Sequence, residues 1–251
     1  MAIYHGLARI YDELMASIDY EQWAEYITSI VRRSEKEVAS VLDIACGTGS
    51  TSIPLAKQGW RVTGVDISLP MLQQARRKAA DAKEDVLFLQ QDIRQLDFVR
   101  EFDLVTCFQD GLNYLLSEEE LNQAFQGIYN LLSPGGLFIF DLNLVEKYSF
   151  SASNEISFID MEEYSLIYET SYDPANRIWE IKVTGFIREE QQYSKFQEIH
   201  QEMHHQPEDV EKSLVNAGFN VKDKFSAFTF DAPQPDDRRI FIVAQKDEGR
   251  E

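Results

Sequence analysis

Gly47 and Gly49 follow an apolar run that closes on Asp43-Ile44. Glycines at the carboxyl end of a strand let the main chain turn tightly and approach a ligand. Asp66 closes the next such run, Val62-Thr63-Gly64-Val65-Asp66, where a carboxylate can accept both hydroxyls of a ribose. A third run ends in Gln90-Gln91-Asp92-Ile93. There Asp92 can take an adenine amino group while Ile93 covers the ring. The fourth run ends Cys107-Phe108-Gln109-Asp110, followed by Gly111-Leu112-Asn113-Tyr114. Asp110 either caps the next turn or carries function, as residues of loops at such sites often do. The spacings G-x-G-x-x-G and G-x-x-x-x-G-K-[ST] are both absent, which counts against dinucleotide and ATP sites.

The remaining reactive residue types carry less. Cys46 and Cys107 lack a neighbouring His in sequence and read as small hydrophobes. His200, His204 and His205 have no Cys or second carboxylate at ligand spacing, so no metal site is expected. On a strand, His200 and His204 share a face with Phe196, Glu198 and Glu202, a face that either lines a pocket or is solvated. Glu118-Glu119-Glu120 and Glu189-Glu190 read as exposed charges at a helix start and a turn.

Elements must position these residues. Val38–Ile44, Arg61–Ile67, Val86–Gln90, Phe102–Phe108 and Leu137–Leu142 read as strands. Between them Ser50–Gln58, Leu69–Ala82 and Glu118–Leu132 have helical spacing, the last broken by Ser133-Pro134-Gly135-Gly136. This alternation implies βαβ units and a parallel sheet. After Asn143 the rhythm changes: Tyr164–Tyr172, Arg177–Arg188 and Tyr193–His204 read as an antiparallel meander. A helix at Pro207–Ala217 and strands at Phe219–Phe230 and Arg239–Gln245 close the chain. The first thirty-odd residues predict one or two amphipathic helices, with Tyr4 and Tyr11 on one face and able to overhang a ligand. The expected organisation is therefore a core over 1–148, an inserted sheet over 149–205, and completion of the core over 206–251.

The whole chain has 251 residues, with 43 acidic against 24 basic side chains and a net charge of -19. Such a surface repels phosphate backbones, and Arg32-Arg33 and Arg76-Arg77-Lys78 are short patches flanked by carboxylates, so nucleic acid is disfavoured as a partner. Two cysteines make no disulfide framework, the start has no apolar signal region, and no run approaches the ~20 apolar residues of a membrane helix. The expectation is a protein of the reducing cytoplasm, with no membrane association.

In this arrangement the residues resemble the class I S-adenosylmethionine-dependent methyltransferases. Asp43 to Gly49 matches the family's first motif, Asp66 the second and Asp92 the third, while Phe102–Phe108 with Ser133-Pro134-Gly135-Gly136-Leu137 fits the fourth strand and a later turn. Ala45 stands where many members carry glycine. The resemblance covers about residues 37 to 145 and the final helix and strand pair. It implies an α/β fold: a doubly wound, Rossmann-like seven-stranded sheet in the order 3-2-1-4-5-7-6, strand 7 antiparallel, with the inserted antiparallel sheet as a lid. It implies S-adenosyl-L-methionine as cofactor, contacted by Tyr11, Asp43, Ala45, Cys46, Gly47, Thr48, Gly49, Asp66, Ile67, Met71, Asp92, Ile93 and Phe108. The pattern Tyr11 to Met15 and the inserted sheet resemble small-molecule branches, including sugar amine and glycine N-methyltransferases. The signature [DNS]-P-P-[YF] of DNA-base enzymes is absent after strand four. The expected reaction is in-line transfer of a methyl group to a small amine, with Asp110 orienting the amine and His200 as a nearby base. Two alternatives stay open: methylation of RNA or protein through a partner, and non-catalytic cofactor binding. An oligomer is compatible with either reading.

Overall fold

The computed structural model describes residues 4–144 and 155–248. After a short 3-10 turn at Leu7–Arg9 come α1 (Tyr11–Leu14) and α2 (Tyr20–Arg33), whose Asp19 cap accepts from the Gln22 amide at 3.0 Å. The apolar runs then form β1 (Ser40–Ile44), β2 (Arg61–Asp66), β3 (Leu87–Gln90), β4 (Phe102–Cys107) and β5 (Leu132–Asn143). Between them lie α3 (Ser52–Lys57), α4 (Leu69–Ala82) and α5 (Glu118–Leu131). A second block follows: β6 (Glu155–Asp160), β7 (Tyr164–Asp173), β8 (Ile178–Glu189) and β9 (Gln192–Met203). The chain closes with α6 (Pro207–Asn216), β10 (Asn220–Ser226) and β11 (Arg239–Gln245).

The main sheet runs β3-β2-β1-β4-β5-β11-β10, and β11 is antiparallel to both of its neighbours. With β10 and β11 as sixth and seventh strands, this is the expected order. From β1 the chain winds outward to β3 and then crosses back to β4, so the order reverses beside β1. A crevice opens at such a reversal, at the carboxyl ends of the strands. Successive residues serve opposite faces: Val41 and Leu104 pack with α2 and α3, whereas Leu42 and Val105 pack with α5 and α6.

The second sheet is antiparallel throughout, in the order β6-β7-β8-β9. Its inner face receives Leu7 and Ile10 of the N-terminal segment among Tyr164, Leu166, Val183 and Ile187. Burying two such aliphatic side chains contributes about 1.5–3 kcal/mol each. The N-terminal segment is thereby docked on the second sheet while it crosses to the first.

Several expectations change. The strand β6 was not foreseen, and the expected boundary at Ser149 lies outside the described residues. Ser133-Pro134-Gly135-Gly136 does not separate α5 from β5 but forms a bulge inside it: Phe102 pairs Leu132, then Leu104 pairs Leu137. Gly135 makes the bulge possible with φ +70°. Strand β10 ends at Ser226, not Phe230, because its chain turns back at Thr229 onto the Ser226 carbonyl. Tyr4 precedes the first helix with φ +58°, so it shares no helical face with Tyr11, although the two rings meet edge-on at 5.7 Å. Among the described residues no helix is long and apolar enough to cross a membrane.

Gly64 in β2 tests how tightly the strands are packed beneath the crevice. A Cβ there would lie 2.7 Å from the Phe88 ring and 2.9 Å from Cys46 Sγ. Overpacking of this kind costs about 1–3 kcal/mol. Gly64→Ala is expected to lower the melting temperature by several degrees, at about 2–4 °C per kcal/mol for a chain of this size. An unchanged melting temperature would mean that Phe88 and Cys46 yield freely.

Candidate active site

The carboxyl ends of β1 to β4 surround a cavity of about 270 Å³. Twelve of the expected cofactor residues line it: Tyr11, Asp43, Ala45, Cys46, Gly47, Thr48, Asp66, Ile67, Met71, Asp92, Ile93 and Phe108. Gly49 lies one layer behind, with φ +74°, where a Cβ would fall 2.8 Å from the Phe88 ring.

The turn after β1 is held by two buried carboxylates. Asp66 accepts the Gly47 amide at 2.8 Å on one oxygen and the Ser68 amide at 2.8 Å on the other. Burial raises its pKa, while the Ser68, Gly47 and Ile67 amides work the other way. Lone pairs remain on both oxygens for a ligand. Asp43 sits lower, accepting from Ser52 Oγ at 2.5 Å and Thr106 Oγ1 at 2.8 Å, so it ties the turn to α3 and β4. Burial pushes its pKa up to about 6 despite these two donors. Ala45 adopts φ +52°, a conformation in which glycine would be unstrained.

The end that carries Asp92 is an ion-pair network. Arg94 donates Nε and Nη2 to the Asp92 carboxylate, the latter at 2.5 Å, and its Nη1 reaches Glu120. The hydrogen bond from Arg94 outweighs burial and lowers the Asp92 pKa. Glu120 is therefore not a solvated helix-start charge. It also accepts the Leu116 amide at 2.8 Å, while Ser117 accepts the Glu120 amide, which fixes the start of α5. The Ser117-x-x-Glu120 spacing was the available sequence signal for this arrangement. Arg94 had none.

The opposite end is aromatic. Tyr4, Tyr11, Tyr20, Phe108 and Tyr114 line it, and only Tyr11 and Phe108 among them were expected cofactor residues. Tyr114 arrives on a 3-10 turn (Gly111–Tyr114), after Gln109 and Asp110 take φ +59° and +68°. Tyr4 Oη and Tyr114 Oη are 2.5 Å apart, and Tyr114 Oη is 3.2 Å from His200 Nδ1. Burial raises the phenols of Tyr4, Tyr11 and Tyr114 and pushes Tyr20 up to about 12, so all four stay neutral.

The N-terminal segment is fastened on both sides. Glu198 of β9 accepts the amides of Tyr4 at 3.0 Å, Gly6 at 2.5 Å and Leu7 at 3.3 Å. Asp12 accepts Thr48 Oγ1 at 2.6 Å and Lys78 Nζ at 2.7 Å, and Lys78 also donates to Ser50 Oγ. The segment thus runs as a strap from the second sheet to the glycine turn.

The two expected catalytic residues lie outside the wall. His200 is 3% exposed and stands behind Tyr4 and Tyr114, so the face it shares with Glu198 and Glu202 is buried, not solvated. Asp110 pairs with Arg239 Nη2 at 2.8 Å, and Arg239 Nη1 contacts Asp141. Its carboxylate is committed to β11 and is not among the residues lining the cavity. His205 Nε2 donates to the Leu115 carbonyl at 2.9 Å, and burial lowers its pKa to about 4. No group of three or more His, Cys, Asp or Glu side chains among the described residues is arranged to hold a metal ion.

Comparison with known proteins accords with this geometry. A family profile described as a methyltransferase domain matches residues 41–136. A protein of Geobacillus sp. (strain WCH70), named "Putative methyltransferase GWCH70_2453", is 34% identical over 97% of this chain and 99% of its own. An N,N-dimethyltransferase of Streptomyces fradiae, named for dTDP-3-amino-3,6-dideoxy-alpha-D-glucopyranose, is 33% identical over 48% of this chain and 46% of its own. The crystal structure of an S-adenosylmethionine-dependent methyltransferase from Clostridium acetobutylicum superposes with a TM-score of 0.87 at 30% identity, covering 97% of this chain and 99% of the other. With the reversed strand order, the glycine turn on Asp66 and a full-length likeness of this kind, the chain belongs to the S-adenosylmethionine-dependent methyltransferases.

Proposed function

We propose that the chain methylates a small-molecule amine, with S-adenosylmethionine lying along the cavity from Asp92 to the tyrosines. The residues fit that molecule. Asp66 keeps lone pairs for ribose hydroxyls, Ile67 and Ile93 offer apolar cover to a ring, and Gly47 with φ +53° brings bare main chain to the wall. When bound, the cofactor supplies a sulfonium methyl that a nitrogen lone pair attacks in line, forming C–N as C–S breaks and leaving a thioether.

The observation that carries the amine reading is the character of the far end. Tyr4, Tyr11, Tyr114 and Phe108 line this end, and the π-faces of such neutral rings attract a cation. Arg94 is the one Lys or Arg among the described lining residues, and two carboxylates already hold it. The lining thus offers an anionic group no free counter-charge. In this reading His200 stands behind the acceptor end, and Asp110, held on Arg239, fixes the strained turn that delivers Tyr114.

Two outcomes are expected. Asp66→Ala should weaken S-adenosylmethionine binding in calorimetric titration by roughly ten- to over a hundredfold, the equivalent of about 1.5–3 kcal/mol for a lost charge-assisted pair. A folded variant with unchanged affinity would remove Asp66 from the ribose. With labelled methyl donor, a panel of glucosamine, benzylamine, glycine and sarcosine should include an accepted amine, and DNA, RNA and protein should stay unlabelled. Tight cofactor binding with no transfer to any amine would contradict the reading, and labelling of macromolecules alone would replace it.

A further inference from the structure

We propose that Tyr4, Tyr114 and His200, backed by Glu198, form a relay that carries a proton away from a cationic amine acceptor. The inference rests on the amine reading above and adds to it the route of the proton.

An alkylamine near neutral pH is mostly protonated, and its nitrogen then has no lone pair with which to attack a methyl group. A proton acceptor within reach of the cavity would let the abundant cationic form react. The two carboxylates at the wall nearest the glycine turn are occupied in holding main chain and hydroxyls, Asp66 by amides and Asp43 by Ser52 and Thr106. Asp110 is held on Arg239. The aromatic end, by contrast, opens on a line of polar groups. Tyr4 and Tyr114 line the cavity with hydroxyls 2.5 Å apart, and Tyr114 is 3.2 Å from His200 Nδ1; His200 Nε2 faces Glu198 Oε2 at 3.2 Å, an ion-pair distance outside hydrogen-bond geometry.

The line has a direction. Glu198 has the Tyr4, Gly6 and Leu7 amides around it, which favours the ionised form. Burial works against that charge, yet the facing His200 and hydrogen bonds from Gly6 and Leu7 hold its pKa below the usual carboxylate range. An anion facing Nε2 favours the tautomer with hydrogen on Nε2, leaving Nδ1 to accept from Tyr114. The phenols themselves stay neutral, so they hand protons on and do not store them. The proton of the ammonium N–H passes to a tyrosine oxygen, the tyrosine proton moves along the line, and the last O–H bond breaks as N–H forms on His200 Nδ1. The amine gains a lone pair. The imidazolium is balanced by Glu198, and the proton returns to solvent when product leaves.

Other groups face His200. On β9 itself Glu202 is 5% exposed, its Oε2 has no partner among the described residues, and burial with the charge of Asp110 raises its pKa strongly. Burial thus favours the neutral form of Glu202, while its hydrogen-bond donors favour the charged form of Glu198, four residues earlier on the same face. Environments that drive two like groups apart in this way are typical of acid–base sites. From β8, Ile181 stands opposite His200 and carries no charge. Tyr11, beside Tyr4, is neutral.

The test uses His200→Gln and Tyr114→Phe, with whichever amine of the panel turns over fastest. Both variants should retain affinity for S-adenosylmethionine and lose about 100-fold in kcat/KM near neutrality, within the range of general acid–base effects. The deficit should shrink as pH rises past the acceptor's own pKa, because the free amine no longer needs the relay. A loss that is the same at every pH, or no loss, overturns the proposal, since a merely structural role has no such dependence. Ring-nitrogen NMR supplies a readout without turnover, with the signals of His200 identified by their absence in His200→Gln. Hydrogen on Nε2 and a Nδ1 signal that moves in Tyr114→Phe support the relay; hydrogen on Nδ1 overturns it. Absence of turnover with every amine defeats the amine reading and leaves the relay no substrate, while the NMR result shows separately whether the geometry held.

Discussion

A hydrogen bond from the Gly47 amide to the Asp66 carboxylate joins the loops that follow two different strands, and the crevice depends on it. The same carboxylate takes the Ser68 amide, so one buried anion sets the exit of β1 and the entry to α4 together. Below it Asp43 ties α3 and β4 to the same turn. Two buried carboxylates are costly unless every donor is in place, and these have their donors. The price is paid again in the backbone, where Ala45, Gln109 and Asp110 all hold left-handed conformations at the cavity rim.

That strained rim needs support from further away. Arg239 reaches from β11 to Asp110 and to Asp141 of β5, so the turn after β4 is pinned by the one antiparallel strand inside the main sheet. Removing one member of a buried ion network leaves the other charges uncompensated, which makes such an arrangement rigid. The strap from Tyr4 to Leu14 completes the enclosure. Glu198 holds its amides, Leu7 and Ile10 bury into the second sheet, and Asp12 fastens its far end to Thr48 and Lys78. The second sheet thus contributes to the site by anchoring the residues that roof it.

Much of this was legible in the sequence, for physical reasons. Parallel strands buried on both faces are continuous apolar runs, and their carboxyl ends are marked by the glycines and by Asp66 and Asp92. The strand order followed from resemblance, with right-handed crossovers limiting the choices. What escaped was tertiary. Ser133-Pro134-Gly135-Gly136 has the composition of a break, yet the pairing of β4 with β5 continues across it as a bulge. Glu120 looked like a helix-start charge because nothing in sequence ties it to Arg94, 26 residues earlier. Asp110 looked free to face an acceptor because Arg239 lies 129 positions on (239 − 110), and only the fold joins them. His200 was legible as a strand residue, but its contacts with Tyr4 and Tyr114 require both sheets to be in place.

In the proposed reading one cavity holds the cofactor with its reactive end toward the tyrosines. A crystal structure of the protein with S-adenosylhomocysteine tests it most directly. The expected result is the ribose hydroxyls on Asp66, the adenine between Ile67 and Ile93, and the sulfur directed at Tyr4, Phe108 and Tyr114. A molecule bound elsewhere, or lying in the cavity with its sulfur toward Arg94 and Glu120, would contradict it.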